Sequence, residues 1–222
     1  MPVSIIIPVL NEEENIFHLL TSLNKLQFQG HEIIVVDGGS SDKTVSIAKE
    51  YADSVVHSPV GRANQMNAGA KQAKNELLWF LHADTTMLNI SVKGIENALQ
   101  NNHWGRFNVR LSGKNILFRL IERMINLRSC LTGIATGDQG IFINKSIFNR
   151  VKGYTKIPLM EDVDLSKKLK KIERPICLHE VLITSSRRWE DNGIIATVIL
   201  MWRLRFMFWL GVSAKKLAIQ YK

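Results

Sequence analysis

Two rhythms of apolar residues alternate over the first third of the chain. Val3 to Val9 (VSIIIPV) is a nearly unbroken apolar run of strand length, the pattern of a strand covered on both faces in a parallel sheet. From Asn11 to Leu26 the apolar positions then fall at Ile16, Leu19, Leu20, Leu23 and Leu26, which is the spacing of one helix face. The alternation repeats. Glu32 to Asp37 (EIIVVD) reads as a second strand, GGSSD as a turn and TVSIAKEYA as a helix; Ser54 to His57 reads as a third short strand, Ala63 to Lys74 as a helix and Leu77 to Leu81 as a fourth strand. Strands alternating with helices predict an α/β fold, a Rossmann-like, mostly parallel central sheet with helices on both faces. Right-handed crossovers bring the C-terminal ends of these strands to one edge, where open α/β sheets bind ligands. Pro8 to Glu12, Asp37 to Ser41 and His82 to Thr85 are therefore expected to converge.

The second half is less regular. GIFI, from Gly140, is strand-like, the residues after Asp162 are helix-like, and Asn115 to Leu131 is amphipathic in appearance. The tail from Ile194 to Lys222 is rich in Ile, Leu, Phe, Met and Trp but carries Arg203 and Arg205. A spanning helix needs about 20 mostly apolar residues, and a charge pair near its middle is costly. Trp202, Phe206, Phe208 and Trp209 mixed with Arg203, Arg205, Lys215 and Lys216 suit an interfacial helix on an anionic membrane surface; the same segment equally suits packing on the core or on another subunit.

Composition agrees with one domain and a helical appendage: 222 residues, 45% hydrophobic and 22% charged. Only Cys130 and Cys177 are present, and MPVSIII lacks the features of a secretory leader, so a reducing, cytoplasmic compartment is the default expectation, with peripheral attachment at the inner face of the membrane as its extension. Charge is divided unevenly. Residues 1–100 carry 7 basic against 11 acidic side chains and residues 101–222 carry 22 against 9, giving +9 overall. The basic half is suited to an anionic partner. No nucleic-acid-binding motif accompanies it, so nucleic acid is not the expected partner.

At the predicted edge, three strands each deliver a polar turn: Asn11-Glu12, Asp37-Gly38-Gly39-Ser40 and His82-Ala83-Asp84. The paired glycines permit a tight bend and close approach to a ligand. The spaced glycines of a dinucleotide-binding turn are missing, as is a Walker-type phosphate loop, which argues against a nicotinamide enzyme and an ordinary P-loop enzyme.

SIIIPVLNEEENI, EIIVVDGGSSDKT and NAGAKQAKNELLWFLHADT, followed by TGDQGIFINKSIFNRVKGY and LMEDVDLSKKLKK, resemble in order and spacing the blocks of the family 2 glycosyltransferases. The resemblance covers roughly residues 3–172 and implies the GT-A fold. WGRF, TGDQG and SSRRW are shared with the arsenosugar-biosynthesis-type members.

The resemblance implies a nucleotide-sugar site at Pro8, Asn11, Glu12, Asp37, Gly39, Asn67 and Ala83. Asp37 would read a base N–H, since a carboxylate only accepts, which suits uracil or guanine. Asp84 matches the last aspartate of a DXD-type motif that holds Mn²⁺ or Mg²⁺ on the donor diphosphate. His82 replaces the usual first aspartate; it is either a ligand, better suited to Mn²⁺, or a histidine that never touches metal. Met66 stands where an arginine is common, and Arg62, one turn earlier, either supplies that cation or is a solvated arginine. Glu161 and Asp162 match the acidic pair whose aspartate deprotonates the acceptor hydroxyl. Gly137, Asp138 and Gln139 would border the acceptor, and Arg188 of SSRRW would bind phosphate. The implied activity is inverting transfer of a sugar from a UDP- or GDP-linked donor to a small-molecule or lipid-linked acceptor. A non-catalytic sugar-nucleotide-binding module and a nucleotidyltransferase are the competing readings. A single GT-A domain would divide into a donor half, 1–100, and an acceptor and catalytic half, 101–189, followed by an amphipathic helical segment, 190–222.

Overall fold

The computed structural model describes residues 1–87 and 92–221. Residues 88–91 and Lys222, the last residue of the tail, lie outside the described residues. Four strands of the first third, β1 (Val3–Val9), β2 (Glu32–Asp37), β3 (Ser54–His57) and β4 (Leu77–Phe80), pair in parallel in the order β3-β2-β1-β4. Each boundary falls within a residue of its sequence expectation. In β1 and β2 every residue is buried, as the unbroken apolar runs require.

Beyond β4 the sheet continues with β7 (Phe142–Asn144) and β6 (Trp104–Leu111), both pairings antiparallel. It then runs to β8 (Ile176–Thr184), parallel to β6, and ends on the short β5 (Thr86–Met87), antiparallel to β8. One eight-stranded sheet, β3-β2-β1-β4-β7-β6-β8-β5, thus crosses both halves of the sequence.

Helices cover both faces. On one side α1 (Glu13–Phe28), α2 (Thr44–Tyr51) and α4 (Val92–Asn101) pack over Ile5, Ile7, Ile33, Val35 and Trp79; on the other α3 (Arg62–Gln72), α6 (Lys145–Arg150) and α7 (Glu161–Lys170) pack over Ile6, Ile34, Val36, Leu78 and Phe80. Successive isoleucines of β1 point to opposite faces, and each fully buried side chain stabilises by about 1.5–3 kcal/mol.

α5 (Ile116–Thr132) is built inside out. Its buried side chains are Phe118, Glu122 and Ser129, and polar groups tie it to β6: Leu111 N donates to Glu122 Oε1 at 2.6 Å, while Asn126 exchanges hydrogen bonds of 2.9 and 3.0 Å with the backbone of Val109. Ile116, Leu120, Met124, Leu127 and Leu131 are exposed, one stripe at helical spacing.

The tail forms two helices rather than one, α9 (Ile194–Trp209) and α10 (Ala214–Tyr221), separated at Gly211, whose φ is +89°. Before them lies the short α8 (Arg187–Asp191). Leu204 and Leu217 bury against Met160 and Val163 at the start of α7. The opposite face of α9 exposes Ile195, Ile199, Trp202, Phe206 and Trp209, so apolar residues occupy both faces and the packed and the interfacial readings each describe one of them. Among the described residues, no helix is long and apolar enough to cross a membrane. Cys130 on α5 and Cys177 on β8 form a disulfide with Cα atoms 6.2 Å apart, where a reducing compartment would keep two thiols.

Gly69 sets how closely α3 lies on the sheet: a Cβ there would stand 2.4 Å from Ile6 Cγ2 and 2.9 Å from Val36 Cγ2. The better helix propensity of alanine works the other way, by about 1 kcal/mol. Overpacking of a close-packed layer outweighs it, so Gly69→Ala should cost about 1–3 kcal/mol net, read as a lower urea midpoint with unchanged slope.

Candidate functional site

At the C-terminal ends of β1 and β2 the two loops are knitted together. Asn11, in the left-handed region at φ +53°, donates its backbone N–H to Ser40 Oγ at 2.9 Å, and its Oδ1 accepts from Ser41 N at 2.9 Å. Glu12 N donates to Thr44 Oγ1, and Glu12 Oε2 accepts from Asn15 Nδ2, both at 2.8 Å. Asp37 is 2% exposed. Its carboxylate accepts from Gly39 N at 2.9 Å and Ser40 N at 3.0 Å, with His57 Nδ1 at 3.2 Å. Burial pushes the Asp37 pKa up, but hydrogen bonds from Ser40, Gly39 and His57 together outweigh it and hold the carboxyl below its ordinary range. Asp37 therefore organises the turn that Gly39, at φ +104°, makes possible. Pro8 is buried within β1.

Beneath these loops lies a residue the sequence analysis missed. Gln65, buried on α3, donates through Nε2 to Val9 O at 2.7 Å and Val36 O at 2.9 Å. It joins the ends of β1 and β2. A glutamine directly before Met66, on the helix face turned to the sheet, was the available signal.

A second group of side chains meets beside β4. His82 and Ala83 follow the strand and are buried, and Asp84 sits half-buried in the turn closed by Thr85 N donating to His82 O at 3.2 Å. Facing them is the 3₁₀ turn Gly137–Gln139. His82 Nδ1 lies 3.3 Å from Asp138 Oδ1, with side chains 10% and 52% exposed. The ring also lies against Gly137, where a Cβ would approach Nε2 to 2.6 Å. Asp162 closes the other side: its Oδ2 accepts from Gly137 N at 2.8 Å and its Oδ1 from Val163 N at 2.7 Å.

Arg62, His82, Asp138, Glu161 and Asp162 thus share one cleft of about 120 Å³, with Arg205 and Tyr221 from the tail. Met160, at φ +66°, turns the chain into α7 directly before the acidic pair. Although about half of the Asp138 side chain is exposed, the cleft walls around it oppose its charge; His82, then Arg62 and Arg205, outweigh this and lower its pKa. Desolvation opposes the Arg62 charge, and the carboxylates of Glu161, Asp138 and Asp162 more than compensate. The tail residues Arg205 and Tyr221 were not foreseen as site residues.

Other expected site residues are committed elsewhere. Asn67 exchanges hydrogen bonds of 2.8 and 2.9 Å with the backbone of Tyr154, and Gln139 is fully buried, with its Oε1 accepting from Thr136 N at 3.2 Å. The Arg188 guanidinium stacks 3.6 Å from the Tyr221 ring centre and donates to the Tyr221 carbonyl. Its neighbour Arg187 instead lines the recess formed by Asn11, Glu12, Glu13 and Asp42. Among the described residues, no three His, Cys, Asp or Glu side chains cluster to hold a metal by themselves. Any ion held at Asp84 would need most of its ligands from a bound diphosphate and water.

Glu161 is 6% exposed. Burial first, and then the charge of Asp162, raise its pKa, with Arg62 opposing. The native state then holds this proton more tightly than the unfolded chain, so Glu161 lowers stability as pH rises from the ordinary glutamate value through the raised one. Glu161→Gln should be more stable than the parent at pH above the raised Glu161 value, the difference shrinking toward zero below the ordinary glutamate value. Urea unfolding of both proteins across that range measures it.

The sequence model of Glycosyl transferase family 2 matches residues 4–127. The chain is 27% identical over 243 aligned positions to the poly-beta-1,6-N-acetyl-D-glucosamine synthase of Staphylococcus epidermidis, covering 98% of this chain and 59% of that protein. It is 30% identical over 154 positions to the undecaprenyl-phosphate 4-deoxy-4-formamido-L-arabinose transferase of Yersinia pestis, covering 64% of this chain and 47% of that one. The chain spans about half the length of these curated relatives. Among solved structures, S. aureus TarS in complex with UDP-GlcNAc superposes with a TM-score of 0.64 at 20% identity, over 83% of this chain and 58% of that one. Glucosyl-3-phosphoglycerate synthase from Mycobacterium tuberculosis, with Mn²⁺, UDP and phosphoglyceric acid, gives 0.58 at 16% identity over 83% and 69%. The fold is that of the GT-A glycosyltransferases, and with more than half of its length matched the chain belongs to glycosyl transferase family 2.

Proposed function

We propose that this protein is an inverting, metal-assisted glycosyltransferase that moves a sugar from a UDP- or GDP-linked donor to an acceptor hydroxyl, with Asp162 as general base. The observation that carries the reading is the cleft in which Arg62, His82, Asp138, Glu161 and Asp162 meet, beside the turn that carries Asp84. Relatives of the same fold are described in complex with UDP-GlcNAc and with UDP and Mn²⁺, which supports a nucleotide diphosphate donor and a divalent cation. Membership of the arsenosugar-biosynthesis-type group rests on WGRF, TGDQG and SSRRW.

In this reading the loops at Asn11 and Asp37 border the nucleoside, and Arg187 is better placed than Arg188 to meet donor phosphate. Asp84 would hold Mn²⁺ or Mg²⁺, which when bound offsets the charge gathering on the leaving diphosphate. The acceptor oxygen attacks the anomeric carbon opposite the diphosphate; the new C–O bond forms as the bond to diphosphate breaks, and the hydroxyl proton passes to Asp162. Asp162 is oriented for this by Gly137 N and Val163 N. Asp138, paired to His82, orients the acceptor. The exposed stripes of α5 and α9, with Arg203, Lys215 and Lys216 exposed nearby, support work at an anionic membrane surface.

Two measurements test this. Asp84→Asn should weaken UDP binding in the presence of Mn²⁺ by about 10-fold or more while leaving metal-free binding unchanged, since one charged ligand is worth over 1 kcal/mol; titration calorimetry with and without chelator reads it. Asp162→Asn should retain donor affinity and lose about 10²–10⁴-fold in turnover, measured as nucleoside diphosphate release with acceptor present. Turnover near the parent level would move the base to Glu161 or Asp138.

A further inference from the structure

Between α5 and α9 runs a groove of about 250 Å³. Ile121, Met124 and Ile125 on α5 face Val198 and Trp202 on α9, so most of the lining is apolar. One turn farther along each helix stand Arg128 and Arg205, with Thr136 and Asp138 beside them, while Met201 lies on α9 one turn before Arg205. Thr136, Asp138, Met201 and Arg205 also wall the catalytic cleft. The groove therefore opens into the cleft at its cationic end. Seven residues separate Ile121 from Arg128 and Val198 from Arg205, so its apolar length is about 10 Å.

The cationic end is incomplete. Arg128 Nη1 donates to Ile134 O at 3.2 Å, but Nε and Nη2 are buried and have no hydrogen-bond partner among the described residues. Leaving donors of a buried cation unpaired is costly. Burial, with Arg205 adding to it, pulls the Arg128 pKa down to about 10. Both guanidinium groups lack an ion-pair partner within 4 Å among the described residues. A phosphate would supply acceptors to the unpaired N–H groups and offset the repulsion, and forked guanidinium groups suit it geometrically.

The walls also lack cover. Both α5 and α9 turn apolar stripes outward, and α5 keeps Glu122 and Ser129 buried on its inner face. An apolar groove with outward apolar flanks, ending on two arginines at a catalytic cleft, complements an amphiphile with one anionic group.

We propose that this groove binds the acceptor as a phosphate-bearing lipid with a hydroxylated headgroup: the apolar chain lies between α5 and α9, the phosphate on Arg128 and Arg205, and the hydroxyl reaches Asp162 past Asp138. The proposal rests on the transfer reading given above and names the acceptor class for the same cleft. In the reaction the headgroup oxygen becomes the glycosidic oxygen, its proton goes to Asp162, and nucleoside diphosphate departs with the bonding electrons.

The probe is lysophosphatidylglycerol below its micelle concentration, which carries one chain, one phosphodiester and a hydroxylated headgroup. Binding to the full chain is followed by the emission of Trp189 and Trp202, which line the groove; dodecyl maltoside and inorganic phosphate are comparison ligands. The same proteins are titrated with UDP and Mn²⁺ and their melting curves recorded. Expected are saturable binding at least 10-fold tighter than either comparison ligand, a loss of 10-fold or more in Arg128→Gln, and a similar loss when Val198→Trp fills the groove, with UDP binding unchanged in both. Should Arg128→Gln fail to fold, Val198→Trp carries the test with Val198→Ala as its folded control. Equal binding of dodecyl maltoside overturns the phosphate site, and equal binding of inorganic phosphate overturns the lipid. Unchanged affinity in the variants, or a dimer sensitive to Val198→Trp that excludes the probe, overturns the groove. The expected lipid pattern without any UDP binding would overturn the transfer reading and the acceptor role with it, leaving a lipid site alone.

Discussion

Where β1 and β2 end, two buried carbonyl groups, those of Val9 and Val36, meet the single side-chain amide of Gln65 at 2.7 and 2.9 Å. Unpaired backbone acceptors at a buried sheet edge would cost of order 1–3 kcal/mol each. Because one Nε2 serves both, the strand ends are held at a fixed separation and the loops after them have defined starting points. Gly38 N also donates to Val9 O, at 3.0 Å, which fixes the turn at Asp37. The positions of Asn11, Glu12 and Gly39 follow from that arrangement.

The second half of the site depends on a comparable join. Asp162 takes one hydrogen bond from its own helix start and one from Gly137, so a carboxylate at the base of α7 fixes the turn that carries Asp138. Arg62 from the first half of the sequence faces Glu161 and Asp162 from the second. The cleft has no single owner in the sequence. Its charges come from α3, the loop after β4, the 3₁₀ turn, α7 and the tail, and one continuous sheet makes their spacing reproducible.

The sequence was most informative where structure is local and apolar. VSIIIPV, EIIVVD and LLWF became strands with nearly their expected ends, because full burial on both faces leaves no other use for such runs. Asp84 and Asp162 were legible as residues at strand and helix ends. What failed to show was partnership. Asn67 and Gln139 have the right chemistry for a ligand, yet their amides are spent on Tyr154 and Thr136, distant pairings or tight turns that no spacing rule reveals. Arg187 and Arg188 differ by one position on a five-residue helix, which rotates one toward Asn11 and the other toward Tyr221. The amphipathic pattern of Asn115 to Leu131 was visible, but its orientation was not, since periodicity reports that two faces differ and not which is inward.

That orientation separates two pressures on the same helix. Along α5, Glu122 and Asn126 hold the fold together, whereas Leu120 and Leu127 lie outside the core. Ordinary intuition, that polar positions drift freely and apolar ones are constrained by folding, is reversed here. A leucine replaced by serine on the outer stripe removes little buried surface, so the folded chain should survive it and pass a screen for expression. An engineer smoothing the surface of this protein for crystallisation or yield would choose this outer stripe first, and would change the face of the helix that the fold itself does not use.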